Sequence, residues 1–394
     1  MKLQVIFLMI FVSCRLFGAE GIKTGAEQTE KYLPLLQGKR VAIVANQTSV
    51  IGQTSLVDSL LSLKIKVVKI FGPEHGFRGT ASAGAIVRDS IDSKTGIPEI
   101  SLYGKKSKPS KADLNNIDLV IFDIQDVGAR FYTYINLLAY IMEACAENNK
   151  ELLLLDRPNP NGNCIDGPIL DMKLKSGIGM FPIPITHGMT MGELALMYNG
   201  EDWLPNKQKC RVTIIQVANY KHSMDYVLPV SPSPNLNTQQ AIWLYPSLCL
   251  FEGTIISQGR GTRFPFSVLG NPELKGKYSF SFTPVSIKGM AETPLFQNQE
   301  CFGIDLRKFD TTELRRSGKI NLSWLIEMYR AYPDKSKFFD SRLSKQIGNF
   351  DKLAGTSQLR EQIIAGKSES EIRQTWEKSL DTFKKQRSKY LLYP

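Results

Sequence analysis

The sequence predicts an α/β protein: a Rossmann-like doubly wound N-terminal domain with a smaller α+β C-terminal domain. Three observations predict it. Short apolar runs alternate with helical stripes through the first half, the pattern of a parallel sheet covered on both faces. A Pro-, Ser- and Asn-rich stretch from Leu228 to Asn237 interrupts that pattern. Beyond it the chain reads as one alternating run and amphipathic helices. The expected divisions are a leader over residues 1–19, a first domain over 20–237 and a second over 238–394.

Each element has its own signal. Arg40 to Ala45 (RVAIVA) is a short apolar run bounded by turn residues and reads as a buried strand. Leu56 to Leu63 carries a helical stripe. Val67 to Phe71, Leu119 to Asp123 and Leu152 to Leu155 read as further buried strands, with a striped helix over Tyr134 to Glu147. Val212 to Val217 is a last strand of the first domain. In the second half, Tyr278 to Ile287 alternates as an antiparallel strand does. Leu322 to Tyr332 and Glu369 to Gln386 read as amphipathic helices. The first strand runs into Asn46-Gln47-Thr48-Ser49, with no G-x-G-x-x-G, and no Walker lysine motif follows, so the fold class brings no nucleotide with it.

Composition narrows the class. With 394 residues, 42% hydrophobic and 22% charged, the chain is ordinary globular protein, long enough for two domains. Its formal net charge of +11 favours anionic partners. The basic residues are scattered and no recognition motif accompanies them, which argues against nucleic acid. Lys2 precedes an apolar run from Leu3 to Val12, and small residues follow at Gly18 and Ala19. The run is too short to span a bilayer and reads as a secretory signal peptide. Export to the periplasm or the medium is therefore expected. Lipid attachment at Cys14 ranks second, because Phe11-Val12-Ser13 matches a lipobox poorly. No other segment is apolar enough for a membrane span. Cys145, Cys164, Cys210, Cys249 and Cys301 are odd in number and never form a C-x-x-C pair, so neither a disulfide framework nor a structural zinc site is expected.

Ligands of open α/β sheets sit at the carboxyl ends of the strands, and polar clusters fall there. Glu74, His75 and Arg78 lie among glycines after the second strand. Asp123, Gln125, Asp126 and Arg130 follow the third, with Tyr132 and Tyr134 next. Asp156, Arg157 and Asn159 follow the fourth, in a run that also suits a rigid turn. His187 precedes a helix on which Thr190 and Glu193 fit a capping box, so Glu193 reads as a cap. Glu74 is the sharpest candidate, because glycines let the backbone approach a ligand closely.

The motifs Gly72-Pro-Glu-His-Gly-Phe-Arg-Gly79, Asp123-Ile-Gln-Asp-Val-Gly-Ala-Arg130, Asp156-Arg-Pro-Asn-Pro160, His187-Gly-Met-Thr-Met-Gly-Glu193 and Glu252-Gly-Thr…Gly259-Arg-Gly-Thr262 resemble the NamZ family. These are exo-β-N-acetylmuramidases, glycoside hydrolase family 171, formerly a domain of unknown function. The resemblance covers nearly the whole mature chain. It implies a site between the two domains and release of terminal N-acetylmuramic acid from peptidoglycan fragments, with no cofactor. Such chemistry needs a carboxyl to assist the leaving oxygen and a second group to activate water or attack carbon. Glu74 is the acid candidate; Asp126 and Glu252 are candidates for the second role, and a 2-acetamido sugar also permits attack by its own acetamide. The lactyl carboxylate of the sugar calls for an arginine clamp. Arg260, between two glycines that keep the approach open, comes first, followed by Arg130 and Arg157. Tyr132 and Tyr134 are candidates for stacking on the ring. Two rival classes remain: a non-catalytic cell-wall sugar-binding protein, which needs no acid, and a metal-dependent hydrolase. With three histidines and no H-x-x-x-H spacing, no metal ion is expected.

Overall fold

Arg40–Ala45 is buried at every position after the first, so both its faces must be covered, and it forms the central strand of a seven-stranded sheet. The computed structural model describes residues 21–394 apart from 75, 80–87, 105 and 341–348. The expected leader, Cys14 and the candidate His75 lie outside the described residues. The parallel strands are, in chain order, Arg40–Ala45, Lys66–Gly72, Pro98–Ser101, Leu119–Asp123, Glu151–Leu155 and Arg211–Ile215. Counted first to sixth, they lie in the spatial order 3-2-1-4-5-6. That is the doubly wound arrangement, and its order reverses between the first and fourth strands.

Period-two alternation sorts the strand residues to two helical layers. Ala42, Val44, Val120, Phe122, Leu152 and Leu154 pack on one face, against Tyr134–Glu147 and Met191–Gly200. Val41, Ile43, Ala45, Ile121, Leu153 and Leu155 pack on the other, against Thr29–Leu36 and Leu56–Ser62. Met191–Gly200 is buried on almost every side, which suits its all-round apolar sequence.

Two sheet strands carry no apolar run. Pro98–Ser101 pairs with the second strand over Ile70 to Gly72, and Ser90–Ile91 adds an antiparallel edge on its other side. Proline is tolerated at a strand start near an edge, and neither strand needs to bury both faces.

The C-terminal part is mixed. A three-stranded antiparallel sheet, in the order Val268–Asn271, Cys301–Asp305, Phe280–Phe282, is accompanied by helices including Gln239–Leu248, Ser323–Ala331 and Gln358–Ile364. The alternating run from Tyr278 to Ile287 yields only the three residues Phe280–Phe282 as strand, because Pro284 has no N–H to extend the ladder. The helix expected over Glu369 to Gln386 is two helices, Glu369–Gln374 and Glu377–Arg387. Thr375 bonds back to the Ile372 carbonyl at 2.6 Å and Trp376 turns inward to the core.

One hydrophobic cluster joins the two parts. Val127, Ala129, Phe131 and Ile185 of the first pack with Leu244, Phe251, Phe266 and Leu353 of the second. The chain end returns to the first part as well: the Tyr393 hydroxyl donates to Asp156 at 2.6 Å and the Leu392 N–H to Glu193 at 2.9 Å.

Candidate active site

The strand Lys66–Gly72 ends at a turn whose geometry is fixed locally. Gly76 N–H donates to the Pro73 carbonyl at 2.9 Å, and Phe77 N–H to the Glu99 carboxylate at 2.7 Å. Gly79 sits at φ 69°, and a Cβ there would stand 2.7 Å from Gln47 Oε1. Arg78 is drawn away from the turn by a bidentate pair with Asp92, at 2.7 and 2.8 Å. That pair holds the Asp92 carboxyl down at about 2. What the turn leaves forward is Glu74, whose negative charge adds to burial in raising the pKa of the nearby Tyr103 phenol.

Glu74 borders a cavity of about 350 Å³ at the carboxyl ends of the second, third and fourth strands. Aromatic rings form much of its wall. Tyr132 meets Tyr134 edge-on at 5.0 Å between centroids and Tyr245 at 5.9 Å, and Tyr245 meets Phe266 at 4.9 Å. The Tyr132 hydroxyl is tied to the Pro232 carbonyl at 2.9 Å, and Asn46 donates to the Tyr134 hydroxyl at 3.0 Å. Burial raises the pKa of both phenols, so they remain neutral donors.

Glu252 and Arg260 complete the wall from the C-terminal part. Glu252 sits in the helical turn Cys249–Gly253 and is almost wholly buried. Arg260 Nε donates to its Oε1 at 2.7 Å and Nη2 lies 2.6 Å from the same oxygen, while Gln258 adds a bond at 3.1 Å. The Arg260 guanidinium also lies 5.1 Å from the Phe266 ring centroid. Its Nη1 has no hydrogen-bond partner among the described residues. The flanking glycines act differently from expectation. Gly259 and Gly261 lie at φ 84° and 82°, and added Cβ atoms would stand 2.7 Å from Val268 and 2.5 Å from Pro294. They are needed to turn the backbone so that Arg260 folds back on Glu252.

The structure thus brings Glu74, Tyr132, Tyr134, Glu252 and Arg260 to one cavity. The other sequence candidates stand behind it. Asp126 is buried with Oδ2 bonded by Gly128 N–H at 2.6 Å, and its Oδ1 has no partner among the described residues. Burial lifts its carboxyl to about 7. His187 Nε2 lies 4.0 Å from it, and burial drives that imidazole down to about 3, so it is neutral. Gln125 donates to the Asp126 and Pro158 carbonyls at 2.7 and 2.8 Å. Asn159 donates to the Met189 carbonyl at 2.9 Å. Arg157 forms a buried bidentate pair with Asp123 at 2.6 and 2.9 Å. Arg130 is fully buried and donates to the Pro168, Ile183 and Leu353 carbonyls, at 2.9, 2.7 and 2.9 Å, which ties the two parts of the chain together. Burial without an acid partner lowers it to about 9, still cationic at neutral pH. Glu193 is the capping-box residue of Met191–Gly200, as the sequence indicates.

Sequence reasoning missed Tyr103, Tyr245 and Asn235, which also line the cavity. Tyr103 follows Pro98–Ser101, a strand with no apolar run to mark it in the sequence. Asn235 lies in the stretch read as a linker, yet it is buried, donates to the Met290 carbonyl at 2.9 Å, and keeps Oδ1 unpartnered among the described residues. Among the described residues no group of three or more His, Cys, Asp or Glu is placed to hold a metal ion, and no helix is long and apolar enough to cross a membrane.

Comparison with known families decides what this arrangement belongs to. Residues 41–240 match the family described as "Exo-beta-N-acetylmuramidase NamZ, N-terminal", and residues 243–393 match its C-terminal counterpart. The chain belongs to the NamZ family of exo-β-N-acetylmuramidases. It is therefore a glycosidase by family, and not a non-catalytic sugar-binding protein. A Bacillus subtilis (strain 168) relative, peptidoglycan β-N-acetylmuramidase NamZ, is 41% identical over 380 residues, covering 92% of this chain and 89% of that protein. Two crystal structures of DUF1343 family proteins from Bacteroides fragilis NCTC 9343 share the fold. One superimposes with a TM-score of 0.87 at 49% identity, the other with 0.78 at 31%; each match covers 95% of this chain and 99% of the other.

Proposed function

We propose that this NamZ-family glycosidase releases terminal N-acetylmuramic acid from peptidoglycan fragments, with Glu74 as proton donor and the Glu252–Arg260 pair as the charged part of the same cavity wall. The observation that carries the reading is the meeting of a carboxyl, an ion-paired carboxylate and an aromatic wall in one cavity. In the reaction, Glu74 gives its proton to the bridging oxygen as the bond from that oxygen to the anomeric carbon breaks. The hydroxide part of a water molecule ends on the anomeric carbon, and the proton it loses passes to a carboxylate of the site. Tyr103 lines the cavity beside Glu74, and the neutral tyrosines offer flat surfaces to the sugar ring.

The lactyl group distinguishes N-acetylmuramic acid from N-acetylglucosamine, so an enzyme that selects the former needs a cation facing the substrate. Among the described residues that line the cavity, Arg260 is the one cation. Its Nε and Nη2 hold Glu252, and the remaining Nη1 is the proposed contact for the lactyl carboxylate. Arg130 and Arg157 are committed to other partners. The apolar leader after Lys2 and the cell-wall origin of the substrate together support export.

The test is incubation of purified protein with a β-1,4-linked N-acetylmuramic acid–N-acetylglucosamine disaccharide, followed by mass spectrometry. Free N-acetylmuramic acid is expected from the wild type and not from Glu74→Gln. An intact disaccharide, or equal release by the variant, overturns the reading.

A further inference from the structure

A second cavity, of about 210 Å³, adjoins the first and shares Glu74, Tyr103, Thr133, Tyr134 and Gly177 with it. Its own walls are Leu102, Ser107, Asn136, Leu137 and Tyr140. We infer that this second cavity is the leaving-group subsite, which takes the uncharged N-acetylhexosamine ring on the far side of the scissile bond; the inference rests on the muramidase reading above.

Three observations carry it. An acid that protonates a glycosidic oxygen must stand where two sugars meet, and Glu74 borders both cavities. Charge then assigns the sugars. Arg260 marks the first cavity for the acidic residue, whereas the second has no charged lining group besides Glu74 among the described residues. Finally, a residue in the wall of the second cavity carries an unsatisfied group. Asn136 is only 3% exposed, and its Nδ2 donates to the Gly177 carbonyl at 2.7 Å. That bond fixes which way the amide faces, and Oδ1 is left buried with no partner among the described residues. A buried acceptor without a donor is costly, and a sugar hydroxyl supplies the donor once the amide shifts toward the cavity on binding. Asn136 and Tyr140 are four apart on the helix Tyr134–Glu147 and so share a face. The half-buried Tyr140 ring and the Leu102 and Leu137 side chains present the flat apolar surface that the C–H face of a pyranose covers.

The experiment compares wild type, Tyr140→Ala and Asn136→Ala on two substrates: the disaccharide, and an aryl β-glycoside of N-acetylmuramic acid with a good leaving group. Tyr140 is half-exposed, so its variant keeps the test open if Asn136→Ala folds poorly. The ratio of kcat/KM on the disaccharide to that on the aryl glycoside is expected to fall about tenfold in each folded variant, in line with one lost hydrogen bond or one lost ring contact. Inhibition by free N-acetylglucosamine is expected to weaken by a similar factor, with inhibition by N-acetylmuramic acid little changed. An unchanged ratio together with unchanged inhibition by N-acetylglucosamine overturns the subsite and leaves the activity intact. A wild type that cleaves neither substrate overturns the activity reading and the subsite with it.

Discussion

Asp126→Asn probes a pair of buried groups that compensate each other. The Asp126 carboxyl stands at about 7 instead of 3.8 because burial disfavours its charged form, against the hydrogen bond from Gly128 N–H. Between those two pH values the native protein holds a proton that the unfolded chain has released. The native state therefore binds more protons, and the contribution of this group to stability falls as pH rises through that window. His187 does the opposite. Its imidazole is lowered from 6.5 to about 3, chiefly by burial, so between those values the unfolded chain holds the extra proton and stability rises with pH. From roughly pH 4 to 6.5 the two slopes oppose each other, each about 1.4 kcal/mol per pH unit.

Asparagine keeps the Gly128 bond but removes the titration. Relative to the variant, the wild type should therefore lose about 1.4 kcal/mol for each pH unit between about 4 and 7, roughly 4 kcal/mol in all. The amide nitrogen stands where Oδ1 had no partner, which costs about 1–3 kcal/mol at every pH. The variant should be the less stable protein at pH 4 and the more stable one at pH 8. Urea unfolding at pH 4, 5, 6, 7 and 8 measures both. Parallel stability curves for the two proteins would refute the argument, because they would mean that Asp126 titrates alike in the folded and unfolded chain. Asp126 does not line the cavity, so the variant should also keep most of its turnover.

Glu74→Gln should lower turnover on the disaccharide by about two to four powers of ten with the circular dichroism unchanged, the loss expected of a missing general acid. Arg157→Ala leaves the buried Asp123 carboxylate without its bidentate partner and should cost about 3–5 kcal/mol, read as a lowered midpoint in urea. Arg260→Lys keeps a cation against Glu252 but removes the spare guanidinium N–H. Its kcat/KM on the muramic glycoside should fall by one to two powers of ten, from the roughly 1.5–3 kcal/mol of a charge-assisted bond, with any trace activity on the glucosamine glycoside unchanged. Equal loss on both substrates would assign Arg260 to holding Glu252 alone.

The sheet was legible because it obeys local rules. Buried parallel strands must be apolar on both faces, and Arg40–Ala45, Leu119–Asp123 and Glu151–Leu155 stand within a residue of their apolar runs. The strands that escaped notice, Pro98–Ser101 and Ser90–Ile91, lie at the edge, where one face stays open and a proline does no harm. Tyr103 escaped with them, since a residue can be recognised at a strand end only once the strand is.

The site was less legible, for a different reason. A polar residue after a strand has two destinies, a cavity or the hydrogen-bonded packing beneath it, and local sequence treats them alike. Asp126, Arg157 and Asn159 sit at strand ends as Glu74 does, yet they are buried and bonded to Gly128, Asp123 and Met189 and do not line the cavity. What separates them is set by distant chain. Tyr132 is held by Pro232, one hundred residues on. Glu252 and Arg260 reach the cavity because the second part of the chain packs on Phe131 and Ile185. Arg260 shows the limit most clearly. In sequence its neighbouring glycines suggest space for a ligand, but their positive φ values turn the side chain toward Glu252. The same glycines are what place a cation at the cavity wall with Nη1 still open, so the discrimination of the lactyl group is proposed to depend on backbone turns and not on open space around the loop.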